Sequence, residues 1–142
     1  MTQLKMAVAG VAGRMGRQLA AMAIDRGHAL TGGSEVAAAG VFDEDIGVLA
    51  GRRALGHWPS PDVAEAAAGA DVWIDFTRPE ATLAALGALR GTSVRAVVIG
   101  TTGFEADQEI LIQAASDRFA IVKAGNFSVG VNLLQALTRL AA

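Results

Sequence analysis

The 142-residue chain has no cysteine, only two histidines, and just 18% of its residues are Asp, Glu, Lys or Arg. Without cysteine it can form no disulfide, no thiolate nucleophile and no zinc–sulfur site. His28 opens an apolar run and His57 sits beside Trp58, far from the glycine-rich segment described below, so both read as structural or exposed. No metal cluster and no nucleophile–base pair is legible, and no catalytic residue is expected within the chain. The net charge of −2 leaves no basic footprint, which argues against nucleic acid as a partner. No uninterrupted apolar run approaches the roughly eighteen residues of a membrane span, so no membrane partner is expected. Lys5 ahead of Met6–Gly13 faintly mimics a signal peptide, but the apolar part is short, broken by glycine and followed by Arg14. It reads as strand and loop, and the expected location is the cytoplasm.

What the chain has in excess is apolar surface. Hydrophobic residues make up 52% and the mean hydropathy is +0.39, the surplus coming largely from alanine. A single domain of this size buries roughly 68–70% of its unfolded surface. A second domain or a subunit interface covering part of the remainder would account for the composition.

Short apolar runs alternate with helix-period segments. Leu4–Ala9, His28–Gly32, Ala54–Trp58, Val72–Asp75, Val94–Ile99 and Phe119–Lys123 read as strands, several nearly continuous in Val, Ile and Ala. Met15, Leu19, Met22 and Ala23 share a face of a first helix that Gly27 ends. A second helix runs from about Pro61 to Ala68 with Ser60 as N-cap. A third opens at Thr77-Arg78-Pro79-Glu80, with Thr77 as its cap, and runs to about Arg90. A fourth covers Glu105–Ser116, and a last one starts near Ser128 and is still helical in pattern at Ala142. Residues 36–53 read as a loop with a short helix. Such alternation predicts a Rossmann-like α/β fold, a doubly wound parallel sheet with helices on both faces, filling residues 1–142 as one domain. The last helix carries a wide apolar stripe of Leu133, Leu134, Leu137, Leu140 and Ala141. Either the sheet absorbs that stripe or the helix leads into further protein.

The segment Val8-Ala9-Gly10-Val11-Ala12-Gly13-Arg14-Met15-Gly16 carries the chemistry. A strand that turns sharply into a helix points the first helical N–H groups, with the positive end of the macrodipole, at whatever lies above them. Glycine there permits positive φ, close approach of a pyrophosphate and tight helix–strand packing. Glu35 closes the second strand about 20 residues later, where a carboxylate accepts the ribose hydroxyls of a dinucleotide. Arg14 could pair with a pyrophosphate or with a 2′-phosphate. Glu35 weighs against the 2′-phosphate, since two like charges about 4 Å apart repel by roughly 4 kcal/mol at an effective dielectric near 20. Val36 supplies no compensating cation.

Three further segments follow predicted strands, and ligands of open α/β sheets bind beyond the carboxyl ends of the strands. Asp75-Phe76-Thr77-Arg78-Pro79 offers Phe76 to line a groove. Gly100-Thr101-Thr102-Gly103-Phe104 offers small residues that let a flat ring approach backbone. Ala124-Gly125-Asn126-Phe127-Ser128 offers Asn126, which could hold a carboxamide or cap a turn. Lys123 could face the site but reads more simply as solvated.

GVAGRMGR, DFTRPE, VIGTTGF and AGNFSVGVN, in that order, resemble the cofactor-binding half of the 4-hydroxy-tetrahydrodipicolinate reductase family, over essentially the whole chain. The resemblance implies an NAD(P)H-dependent oxidoreductase of bacterial lysine and diaminopimelate synthesis that reduces a cyclic dicarboxylic imine. By it, Gly10, Val11, Ala12, Gly13, Arg14 and Met15 would contact the pyrophosphate and Glu35 the adenosine ribose. Gly100, Thr101 and Thr102 would lie against the nicotinamide, Thr102 also near substrate, and Ala124, Gly125, Asn126 and Phe127 would close over that end. Members favouring NADPH tend to carry arginine after the acidic residue; Val36 departs from this and tilts the expected cofactor, NAD(H) or NADP(H), towards NADH. The family's His-His-x-x-Lys motif and its homotetramer belong to a second domain absent from this chain, so the chain alone is expected to bind cofactor without turnover. A non-catalytic NAD-binding sensor or subunit, and a methyltransferase-type domain using S-adenosylmethionine, are the competing expectations.

Overall fold

The computed structural model describes residues 2–141. Five strands form one all-parallel sheet: β1 Lys5–Ala9, β2 Ala29–Ser34, β3 Val72–Asp75, β4 Ala96–Ile99 and β5 Ala120–Lys123, in the spatial order β2-β1-β3-β4-β5. Helices α1 Arg14–Asp25, α2 Ile46–Leu49, α3 Val63–Ala66, α4 Pro79–Ala88, α5 Ala106–Ala115 and α6 Val129–Ala141 connect or follow the strands. Alternation along β1 sets the two faces. Val8 points to one side, where it packs with Val11, Leu30, Ala20 and Ala21 of α1, and Ile46 and Ala50 at α2. Ala7 and Ala9 point to the other, packing with Trp73, Val97 and Ile99 under α3, α4 and α5. The doubly wound sheet is therefore as the sequence pattern predicts.

The third predicted strand is not there. In place of a strand at Ala54–Trp58 the outer side of β2 carries one parallel bridge, Ser34 to Ser60, with Ser60 N–H donating to Gly33 O (3.0 Å) and Glu35 N–H to Ser60 O (3.1 Å). Asp45 explains the loss. Its carboxylate caps α2 through Gly47 and also accepts the N–H groups of Leu55 (2.9 Å), Gly56 (2.7 Å) and His57 (3.2 Å). Those donors are the ones a ladder would need, and Gly56 at φ +78° is outside strand geometry. Counting Ser60 as a vestigial strand, the order reads 3-2-1-4-5-6 and reverses between β1 and β3, where such sheets open a crevice.

Desolvation pushes the Asp45 carboxyl up, but the N–H groups of Leu55, Gly56, Gly47 and His57 together outweigh it and hold the group below the ordinary carboxylate value. With the folded pKa below the unfolded one, this contribution is present above the ordinary value of about 3.9 and is lost as pH falls through the folded pKa. Asp45→Asn should lower the thermal midpoint at pH 7 and flatten the loss of stability on acidification. A variant whose acid limb matches the wild type would show that Asp45 does not carry that limb.

Smaller departures have local causes. Helix α3 is capped by Asp62, which accepts from Ala64 N (2.8 Å) and Glu65 N (3.1 Å). Ser60 and Pro61 stand outside it, the Ser60 hydroxyl bonding Glu65 (2.6 Å) and the Asp62 N–H (3.0 Å). Arg78, not Thr77, occupies the N-cap position of α4. On α1 the buried residues are Gly16, Ala20, Ala21 and Ala23, while Met15 and Met22 stay about half exposed. Small residues let that helix sit close to the sheet, which lifts the longer side chains out. The stripe on α6 is not absorbed by the sheet: Leu133, Leu134, Leu137 and Leu140 are 57%, 64%, 54% and 85% exposed. The side chain of Ala141, and all of Ala142, lie outside the described residues.

Candidate functional site

Because every ladder is parallel, the carboxyl ends of all five strands meet one edge, and each segment singled out in the sequence arrives there. The glycine turn leaves β1 at Gly10, whose φ of +60° favours glycine, and Gly13 N–H closes the turn on Gly10 O at 2.9 Å. Gly16, in the first turn of α1, lies directly against this backbone. A Cβ there would overlap Gly10 O and stand 2.7 Å from Gly10 C and 2.8 Å from Val11 Cα. Gly13 caps α1 without a side chain and no acidic residue stands in its first turn. The N–H groups of that turn therefore have no anion of the chain's own. Arg14 and Met15 are exposed at this end, Val11 is buried, and the Arg17 guanidinium bonds back to Ala12 O at 2.7 Å.

Glu35 joins the turn directly. Its Oε2 accepts the Ala12 N–H (3.1 Å) and its Oε1 accepts the Val36 N–H (2.9 Å). Beside it opens a cavity of about 490 Å³ lined by Ala9, Gly10, Glu35, Val36, Arg78 and Ala81, among others, with Trp73 and Asp75 in its wall. The lining is mostly apolar, with Ser34, Glu35, Asp75, Thr77 and Arg78 as its polar members. Arg78 belongs to the DFTRPE motif, but sequence reasoning gave it no role. The available signal was its position, an exposed cation in the loop after β3 and ahead of the Pro79 that opens α4.

The other half of the edge is built by the ends of β3, β4 and β5. Phe76 packs against Phe127 with ring centroids 5.4 Å apart. It also lies on Gly100 so closely that a Cβ there would overlap the ring. In this structure the flat ring against Gly100 is therefore the chain's own. Thr101 is 3% exposed and turns its hydroxyl inward to Asp75, Thr77 and Thr82, whereas Thr102 faces outward. Ala124 and Gly125 continue from β5, Ala124 N–H donating to Ile99 O at 3.2 Å. Asn126 caps a turn, its Oδ1 accepting the Ser128 N–H at 2.6 Å. Lys123 is not simply solvated: it pairs with Glu109 at 2.6 Å and lies 5.1 Å from the Phe104 ring centroid. His28 and His57 stay away from this edge, lining a separate hollow with Gln3, Arg53 and Leu55. Among the described residues no group of three His, Asp or Glu side chains could hold a metal ion, and no helix is long and apolar enough to cross a membrane.

The residues present fit a dinucleotide. A glycine turn packed so tightly on α1 that Gly16 has no room for a Cβ leads into an uncapped helix N-terminus, an acid sits at the tip of the neighbouring strand, and an apolar cavity opens at the reversal of strand order. Fold and site together define a Rossmann-type domain built to hold a dinucleotide. The chain belongs to the dihydrodipicolinate reductase N-terminal-domain family, whose model, described as "Dihydrodipicolinate reductase, N-terminus", matches residues 4–127. It is 44% identical over 145 residues to the 4-hydroxy-tetrahydrodipicolinate reductase of Rhodopseudomonas palustris, covering 100% of this chain and 52% of that protein. The protein of the same name from Laribacter hongkongensis is 46% identical over 143 residues, covering 100% and 53%. The chain thus spans about half the length of the curated relatives it matches. Among solved structures it resembles a dipicolinate-bound dihydrodipicolinate reductase from Paenisporosarcina, with a TM-score of 0.66 and 21% identity over 99% of this chain and 54% of that one. An amine dehydrogenase from Mycobacterium smegmatis shares the fold at a TM-score of 0.61, 23% identity, and 80% and 37% coverage.

Proposed function

We propose that this chain holds the hydride donor for a 4-hydroxy-tetrahydrodipicolinate reductase, with NADH preferred over NADPH. The observation that carries the reading is Glu35, bonded to the glycine turn through Ala12 at the mouth of the apolar cavity. In it, Gly10, Val11, Ala12, Gly13, Arg14 and Met15 take the pyrophosphate at the helix N-terminus, and Glu35 takes the adenosine ribose. Val36 and Arg78 flank the adenosine cavity. Gly100, Thr101, Thr102 and Ala124 to Phe127 frame the nicotinamide end, with outward-facing Thr102 towards substrate. The nicotinamide supplies hydride when bound; the protein supplies placement and electrostatics.

The preference for NADH follows from how Glu35 is held. Backbone N–H groups at 3.1 and 2.9 Å pin both carboxylate oxygens, which keeps the negative charge where it repels a 2′-phosphate, and Val36 offers no positive charge in return. The substrate in this reading is a cyclic dicarboxylic imine, the location the cytoplasm and the full-length assembly a homotetramer.

Calorimetric titration of the 142-residue chain tests the proposal. NADH should bind more tightly than NADPH, S-adenosylmethionine should give no heat of binding, and the chain alone should not reduce the imine. Saturable S-adenosylmethionine binding without NADH binding would overturn the cofactor assignment. Turnover by the chain alone would overturn the division of labour with further protein. NADH binding with no activity even when the remaining half of a relative is supplied would favour a sensor.

A further inference from the structure

We infer that Asp75 is a positioning residue that holds the adenosine and nicotinamide ends of the site in register; the inference rests on the dinucleotide reading above. Asp75 ends β3 at 1% exposure and lines the cavity. Its Oδ1 accepts three bonds: from Thr77 N–H (3.0 Å), Thr77 Oγ1 (2.6 Å) and Thr101 Oγ1 (3.2 Å). Thr101 Oγ1 in turn accepts from Thr77 N–H (3.0 Å) and Thr82 Oγ1 (3.0 Å). Each hydroxyl has one proton to give, so the directions are fixed. Thr82 donates to Thr101, Thr101 and Thr77 donate to Asp75, and the chain of donors ends on an oxygen that only accepts.

What the network joins gives it a function. Thr77 precedes Arg78, which flanks the adenosine cavity, and Thr82 lies in the first turns of α4. Thr101 stands between Gly100 and Thr102 at the ring end. Backbone joins the same two loops once more, Gly100 N–H donating to Asp75 O at 2.8 Å. The second oxygen tells against a purely structural role. Asp75 Oδ2 and Trp73 Nε1 are the two buried side-chain polar atoms without a partner among the described residues. An unpaired carboxylate oxygen in such a place is destabilising, and a well-packed apolar side chain would avoid the penalty. A carboxylate that only filled space would cost stability for nothing; one that sets the spacing of two binding loops has a reason to be there.

The test compares NADH with ADP-ribose, which lacks the nicotinamide, on the same chain by calorimetry, alongside thermal unfolding and amide hydrogen exchange. Wild type should bind NADH more tightly than ADP-ribose. Asp75→Ala and Thr101→Val should each cut that ratio by about tenfold, and Thr101→Val, which lies outside the adenosine cavity, should move ADP-ribose affinity by less than about threefold. Asp75→Asn keeps the Oδ1 acceptor and should restore the ratio. Exchange at the Thr77 and Thr101 amides should quicken in Asp75→Ala. An unchanged ratio in folded variants, or a wild-type ratio already near one, overturns the inference and leaves the dinucleotide proposal standing. If wild type binds neither ligand, the dinucleotide proposal falls, and unchanged exchange at Thr77 and Thr101 then overturns the coupling itself. Should Asp75→Ala fail to fold, Thr101→Val carries the comparison.

Discussion

Gly16→Ala is expected to abolish measurable NADH binding and to destabilise the chain by about 3 kcal/mol, the upper end of what an overpacked methyl costs. The added Cβ would overlap Gly10 O and come within 2.7 Å of Gly10 C and 2.8 Å of Val11 Cα. These are backbone atoms of the glycine turn, so no side chain can rotate to relieve the clash. α1 must lift from β1 or the turn must deform, and either movement displaces the first-turn N–H groups that would face a pyrophosphate. Gly87→Ala in α4 is the internal control. A Cβ there meets nothing within 4 Å, and a helical Gly→Ala exchange should stabilise by about 0.5–1 kcal/mol. Thermal melts and calorimetry on the two variants read both effects; a Gly16→Ala protein that melts and binds like wild type would remove the glycine turn from the site.

The combined exchange of Glu35→Gln and Val36→Arg should raise the ratio of NADPH to NADH affinity by about 100-fold. A charge pair at about 4 Å is worth roughly 4 kcal/mol at an effective dielectric of 20, and partial exposure and salt reduce that. Removing the carboxylate charge relieves the repulsion of a 2′-phosphate, and an arginine at position 36 adds a partner for it. Val36 is 56% exposed, so the longer side chain enters solvent without displacing packing. The carboxamide that replaces the Glu35 carboxylate can still accept the Ala12 N–H, which keeps the turn anchored. Paired NADH and NADPH titrations of wild type and variant provide the measurement, and a ratio that stays where it was would mean the adenosine ribose lies elsewhere.

The sheet was legible because its strands are short, nearly continuous apolar runs bounded by glycine and polar turns. The strand at Ala54–Trp58 was misread for a reason outside any local window. Asp45 lies about ten residues upstream, and its carboxylate takes the very N–H groups a ladder would use. Periodicity also misjudged α1: Met15 and Met22 look like core by spacing, yet alanine and glycine make the contact because the helix sits so close to the sheet. At the site, the glycine turn and Glu35 could be placed from spacing alone. Arg78 could not, since its place in the cavity wall depends on how the loop after β3 folds beside β1 and β2. The inward turn of Thr101 was hidden for the same reason, because its partners Asp75, Thr77 and Thr82 come from a different strand and helix.

The bridge between Ser34 and Ser60 makes a closed excursion of everything between them. Its two ends are clamped side by side, so what happens at its far tip need not reach the tip of β2. The exposed turn around Asp43 and Glu44 lies within it, just ahead of the Asp45 clasp. Lengthening the chain there would add little closure entropy, about 0.6 kcal/mol for each doubling of a loop. That makes the turn a tolerant place to insert a fluorophore or an affinity tag while Glu35 stays at its post.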